Sequence, residues 1–96
     1  MISIQTTDTF DAWFASLKDK RAVARIQARI DRAEDGKFGD CLPVGESVSE
    51  MRIHYGPGYR VYFVQRGMEL VILLAGGNES TQSKDIKTAP QLASKL

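Results

Sequence analysis

Arg52, His54, Arg60 and Tyr62 fall close together in the chain, at alternating positions on either side of Gly56-Pro57-Gly58. Brought onto one face, they would suit a phosphodiester. A guanidinium binds phosphate oxygens in pairs and can stabilise charge that develops at phosphorus. An imidazole transfers protons near neutral pH. A phenol can stack on an unpaired base or donate a hydrogen bond. The same residues also fit an ordinary solvated sheet, where Arg and Tyr are common cross-strand neighbours. Glu50 on that face could simply pair with Arg52.

Whether they share a face depends on a hairpin. Val48 to Tyr55 alternates, and Tyr59 to Gln65 is rich in β-branched and aromatic residues. A three-residue loop, Gly56 to Gly58, pairs Tyr55 with Tyr59, Ile53 with Val61 and Met51 with Phe63. That gives one apolar face. It also sets His54 opposite Arg60 and Arg52 opposite Tyr62 on the other. A two-residue loop would slip the pairing by one and mix charges with the core. Met68 to Ala75 is nearly continuous apolar, as a central strand should be. A two-residue turn at Arg66-Gly67 would align Leu70, Ile72 and Leu74 with the apolar face.

Helices must cover that face. Residues 1 to 6 read as a short strand with Ile2 and Ile4 on one side. Thr7, Asp8 and Thr9 are cap candidates for a helix carrying Phe10, Trp13, Phe14 and Leu17. A second helix is expected from about Asp19 to Asp35, burying Ala22, Val23, Ile26, Ile30 and Ala33, with Gly36 as its stop. Arg21, Arg25, Arg29 and Arg32 line its other side. They read as a solvated face or as a surface that tracks phosphates. Lys37 to Ser47 is loop-like, and Gly76-Gly77 reads as a turn. Ser80 to Ala89 reads as a last helix, capped by Ser80 or Thr81 and ending or restarting at Pro90.

The 96 residues suit one domain, 1–96, and the composition, 43% hydrophobic and 26% charged, suits a globular fold. The longest apolar run, Leu70 to Ala75, is too short to span a bilayer. Residues 1 to 5 lack the pattern of a secretory signal. The one cysteine, Cys41, cannot form an internal disulfide, which points to the cytoplasm. One His and one Cys cannot make a typical zinc site, so no metal or cofactor is expected. The net charge of +1 is low for a nucleic-acid binder.

The chain resembles the RelE/ParE superfamily of toxins, in its HigB-like "addiction module killer protein" branch. The likeness spans nearly the whole chain. It rests on Phe10-Asp11-Ala12-Trp13, Ala24-Arg25-Ile26, Gly36-Lys37-Phe38-Gly39-Asp40 and Val44 to Ile53. It continues through Gly56 to Phe63, Leu73 to Gly77, and Ser80-Thr81-Gln82 with Asp85-Ile86. The resemblance implies an α+β fold: two N-terminal helices packed on a twisted antiparallel sheet of about four strands, with a C-terminal helix. It implies a cognate antitoxin, expected to be a small helix-turn-helix protein. It also implies, for many members, ribosome-dependent mRNA cleavage without metal, by attack of the ribose 2′-hydroxyl on the neighbouring phosphate.

Arg60 matches the family's strand arginine, assigned to phosphate and transition-state contact, and Arg52 matches another basic strand position. His54 and Tyr62 join them by location as catalytic candidates. Lys37 and Lys84 are expected to bind RNA. Two alternatives stay open: a ParE-like inhibitor that binds DNA gyrase without catalysis, and a decayed toxin that only pairs with its antitoxin.

Overall fold

A computed structural model describes residues 1–96. The class is α+β. The elements run β1 (Ser3–Thr6), α1 (Asp8–Ser16), α2 (Lys20–Glu34), β2 (Cys41–Gly45), β3 (Val48–Ile53), β4 (Tyr59–Arg66), β5 (Leu70–Gly77) and α3 (Gln82–Ser94), with a 3-10 turn at Glu79–Thr81 before α3. One five-stranded sheet has the order β1-β5-β4-β3-β2. It is mixed, because β1 runs parallel to β5 while the other neighbours are antiparallel. The expected antiparallel sheet of about four strands therefore gains an edge strand and a parallel pair. The overlooked strand is β2, hidden in the sequence by Pro43 and the flanking glycines. Proline is tolerated there because an edge strand has one side without ladder bonds.

The first two helices form as their caps require. The Thr7 hydroxyl accepts from the Phe10 N–H, and the Asp19 carboxylate accepts from the N–H groups of Arg21 and Ala22. Gly36 follows α2 with a φ of 79°, a conformation glycine enters without a Cβ penalty. Phe10, Ile26, Ile30 and Ala33 pack against Met51, Ile53, Val61, Phe63, Val71 and Leu73 on one sheet face. On the other face, Ala89, Ile86 and Leu92 of α3 pack against Val48, Tyr62, Val64, Ile72 and Leu74. Both faces are thus covered, which explains the unbroken apolar run of β5.

The hairpin register differs from expectation. Ile53 pairs with Tyr59, Met51 with Val61 and Arg52 with Arg60. The loop is His54 to Gly58, closed by a bond from the Gly58 N–H to the Tyr55 carbonyl, and Gly56 and Gly58 both have positive φ. A shift of two keeps every side chain on its face, so Arg52, Arg60 and Tyr62 still share one. His54, however, leaves the ladder and joins the loop. The β4–β5 connection is one residue longer than expected, with Arg66 opposite Leu70. That odd change turns Leu70, Ile72 and Leu74 toward α3 and gives the α1/α2 face to Val71 and Leu73.

Gly76 and Gly77 lie inside β5 rather than in a turn. A Cβ on Gly76 would stand 2.1 Å from the Trp13 ring, and one on Gly77 2.0 Å from the Asp85 carboxylate. The pair lets α1 and α3 approach the same strand from opposite sides. The last helix neither ends nor restarts at Pro90; it runs through to Ser94. Its lead-in is capped by Asn78, whose side chain accepts from the Ser80 N–H, while the Thr81 side chain makes no cap bond to α3. No helix is long and apolar enough to cross a membrane.

Candidate functional site

The site begins with Arg29 of α2, which does not lie on a solvated stripe. Its guanidinium turns inward and donates to the carbonyls of Arg52 at 2.6 Å, Phe38 at 2.9 Å and Asp40 at 3.2 Å. Gly39 makes room for it, since a Cβ there would stand 2.9 Å from an Arg29 nitrogen. Arg29 therefore ties the segment before β2 to the end of β3. The Asp40 carbonyl also accepts from the Arg52 N–H at 2.9 Å.

This places the Asp40 carboxylate beside two catalytic candidates. Its Oδ1 accepts from Arg52 Nη2 at 3.0 Å, and its Oδ2 lies 2.5 Å from His54 Nε2. The Arg52 guanidinium, and then the His54 bond, hold the Asp40 carboxyl below the usual carboxylate range. Asp40 in turn raises Arg52. The imidazole is open to solvent, with 72% of its side chain exposed.

Beside His54, a groove of about 280 Å³ runs between α2 and the end of β3. Arg25, Arg29 and Arg32 form one wall, and Ile53, His54 and Tyr55 the other. The Arg25 guanidinium sits over the Tyr55 ring at 4.7 Å, and the Tyr55 hydroxyl donates to Asp19. The arrangement offers an accessible proton-transfer group next to fixed positive charge.

Arg60 and Tyr62 belong to a different, interior cluster under α3. Arg60 Nη1 donates to Glu50 Oε1 at 2.8 Å, and Gln82 Nε2 of α3 donates to Glu50 Oε2 at 2.9 Å. Glu50 is 1% exposed and Tyr62 is fully buried. Glu50 thus pairs with Arg60 and not with Arg52. Burial, with the Glu50 charge second, pushes the Tyr62 phenol far up. Its ring has no open face for a base to stack on.

The candidates Arg52, His54, Arg60 and Tyr62 are therefore split: Asp40 joins the first two, and Glu50 holds Arg60 beside Tyr62. Lys37 and Lys84 are exposed but apart, one just after α2 and the other on α3, across the sheet. Cys41 is half-buried, its thiol near the Phe38 carbonyl and raised by burial, so it is not an activated nucleophile. The sequence shows no sign of the Asp40 contacts, and it places Arg29 only on a solvated or phosphate-tracking face, because both residues act through chain segments distant in sequence. The one local signal was Gly39, whose missing side chain admits Arg29.

An uncharacterized protein of Haemophilus influenzae is 53% identical to this chain over 95 residues, which cover 99% of this chain and 96% of that protein. No protein-family model matches the chain.

Proposed function

The chain belongs to one family with its Haemophilus influenzae relative, and we propose that it is the toxin of a type II toxin–antitoxin module with a RelE/ParE-like fold. In this reading it cleaves mRNA on the ribosome and is neutralised by a cognate helix-turn-helix antitoxin. Its place of action is the cytoplasm, where ribosomes translate. The observation that carries the chemistry is the exposed His54 imidazole, held by Asp40 beside Arg52 and the arginine-lined groove.

The residues assign the steps. The groove receives the RNA backbone through the Arg25 and Arg32 guanidinium groups, while Arg29 holds its floor. His54 takes the proton of a ribose 2′-hydroxyl as its oxygen bonds to phosphorus. The P–O5′ bond breaks, leaving a 2′,3′-cyclic phosphate and a 5′-hydroxyl. In-line displacement sets the entering and leaving oxygens on opposite sides of phosphorus. One imidazole therefore serves only the entering side, and water protonates the leaving oxygen. Arg52, partly exposed beside Asp40, stabilises charge on the phosphate oxygens. Arg60 supports β3 and β4 from the interior through Glu50.

Induced expression of the chain should halt growth and produce codon-positioned cuts in mRNA, and co-expression of the neighbouring helix-turn-helix protein should restore growth. Burial of Tyr62 and the Glu50 pairing that occupies the largely covered Arg60 favour the second reading, a gyrase inhibitor that acts by binding alone. Intact mRNA together with accumulated gyrase-cleaved DNA in arrested cells would decide for it. Growth unaffected by overexpression would favour a chain that only binds its antitoxin.

A further inference from the structure

We propose that Asp40 is the positioning residue of His54, fixing which ring nitrogen is free to take the proton. The inference rests on the reading of His54 as the proton acceptor in RNA cleavage. Three observations carry it.

The carboxylate is anchored independently of the imidazole. The Asp40 backbone carbonyl is held by the Arg52 N–H and by Arg29, so β3 and α2 both fix its position. Its Oδ1 is occupied by Arg52 Nη2. Only Oδ2 remains, and it faces His54 Nε2.

The pairing also has a direction. A carboxylate only accepts, so His54 Nε2 must carry the hydrogen. The lone pair of the neutral ring then sits on Nδ1. Asp40 makes the only hydrogen bond to the ring, which extends from a loop beyond the last ladder pair of the hairpin. Without Asp40, no hydrogen bond orients it.

Stability does not account for the contact. An exposed pair of this kind contributes little to folding. Asp40 already has a charged partner in Arg52, and its carbonyl already has two donors. The bond to an exposed imidazole adds orientation, as the partner of a catalytic histidine does in general.

Asp40→Asn inverts the direction. Arg52 can only donate, so it draws the amide oxygen to itself and turns the amide NH2 toward His54. The ring must then accept at Nε2 and carry its hydrogen on Nδ1. His54 is the only histidine in the chain, so ¹⁵N NMR of the full-length protein at alkaline pH reads its tautomer without ambiguity. The expected result is Nε2–H in the parent and Nδ1–H in Asp40→Asn. Ribosome-dependent cleavage by the folded variant should fall by about 10²-fold or more, while Asp40→Glu keeps the parent tautomer and recovers part of the rate. The same tautomer in parent and Asp40→Asn, or undiminished cleavage by Asp40→Asn, would overturn the proposal. A parent that cleaves no mRNA would instead overturn the functional reading; the two tautomers would still decide whether Asp40 holds the ring.

Discussion

Arg60 and Glu50 meet in the interior, and that changes what their removal means. Arg60→Ala leaves a carboxylate that is 1% exposed with only Gln82 for a partner. Breaking one side of a buried pair costs about 3–5 kcal/mol. Any loss of toxicity in Arg60→Ala should therefore come with a lower urea midpoint, a signature absent from a purely catalytic arginine. Tyr62→Phe is the contrasting case. The hydroxyl is buried without a hydrogen-bond partner, so its removal should leave stability unchanged or raise it by about 1–3 kcal/mol. Growth arrest should persist. Alternation along the strands placed Arg52, Arg60 and Tyr62 on one face correctly. It could not tell which part of that face α3 would cover, because the fate of a face depends on an element distant in sequence.

Elements in this fold are positioned by what glycines leave out. Trp13 of α1 rests on Gly76, and Asp85 of α3 rests on Gly77. Gly76→Ala forces a methyl group into the Trp13 ring, an overpacking that costs about 1–3 kcal/mol. Equilibrium urea denaturation should show it as a lower midpoint with an unchanged slope. The helices α1 and α2 were legible from their caps and their 3.6-residue apolar spacing, since both signals are local. Strand β2 was not, because a short edge strand containing Pro43 carries no periodic signal. The hairpin loop is two residues longer than the spacing suggests, because Gly56 and Gly58 suit a tight turn as well as the wider one that forms. Parity survived that slip, and with it the assignment of faces. It did not survive the extra residue before β5.

At the scale of the whole molecule, two groups make stability depend on pH, the exposed Asp40 only slightly. Asp40 titrates below its ordinary value of 3.8 because Arg52 and His54 favour its ionised form. Its contribution is present above the unfolded carboxyl's pKa and is lost as pH falls through the lower, folded one. The stability gap between the parent and Asp40→Asn should close as pH falls below ~3.8, measured by urea midpoints across the acid range. Tyr62 lies on the opposite side. Burial raises its phenol above the ordinary 10.0, so its contribution is present below that value and is lost as pH rises through the folded pKa. Tyr62→Phe should flatten the alkaline limb of the same curve. The α+β class, which the resemblance implies, is the class observed. The coverage of both sheet faces, and so the division of the charged cluster, emerged only from the complete fold.

An exposed His54, not Arg60 and Tyr62 beneath α3, is proposed as the proton acceptor in mRNA cleavage. Purified chain should be added to ribosomes programmed with a defined mRNA, with the 5′ ends of the products mapped for the parent and for His54→Ala. The expected result is cuts in the A-site codon by the parent, and a rate lower by at least about 10²-fold for a fully folded His54→Ala. Equal cleavage by the two proteins would contradict it.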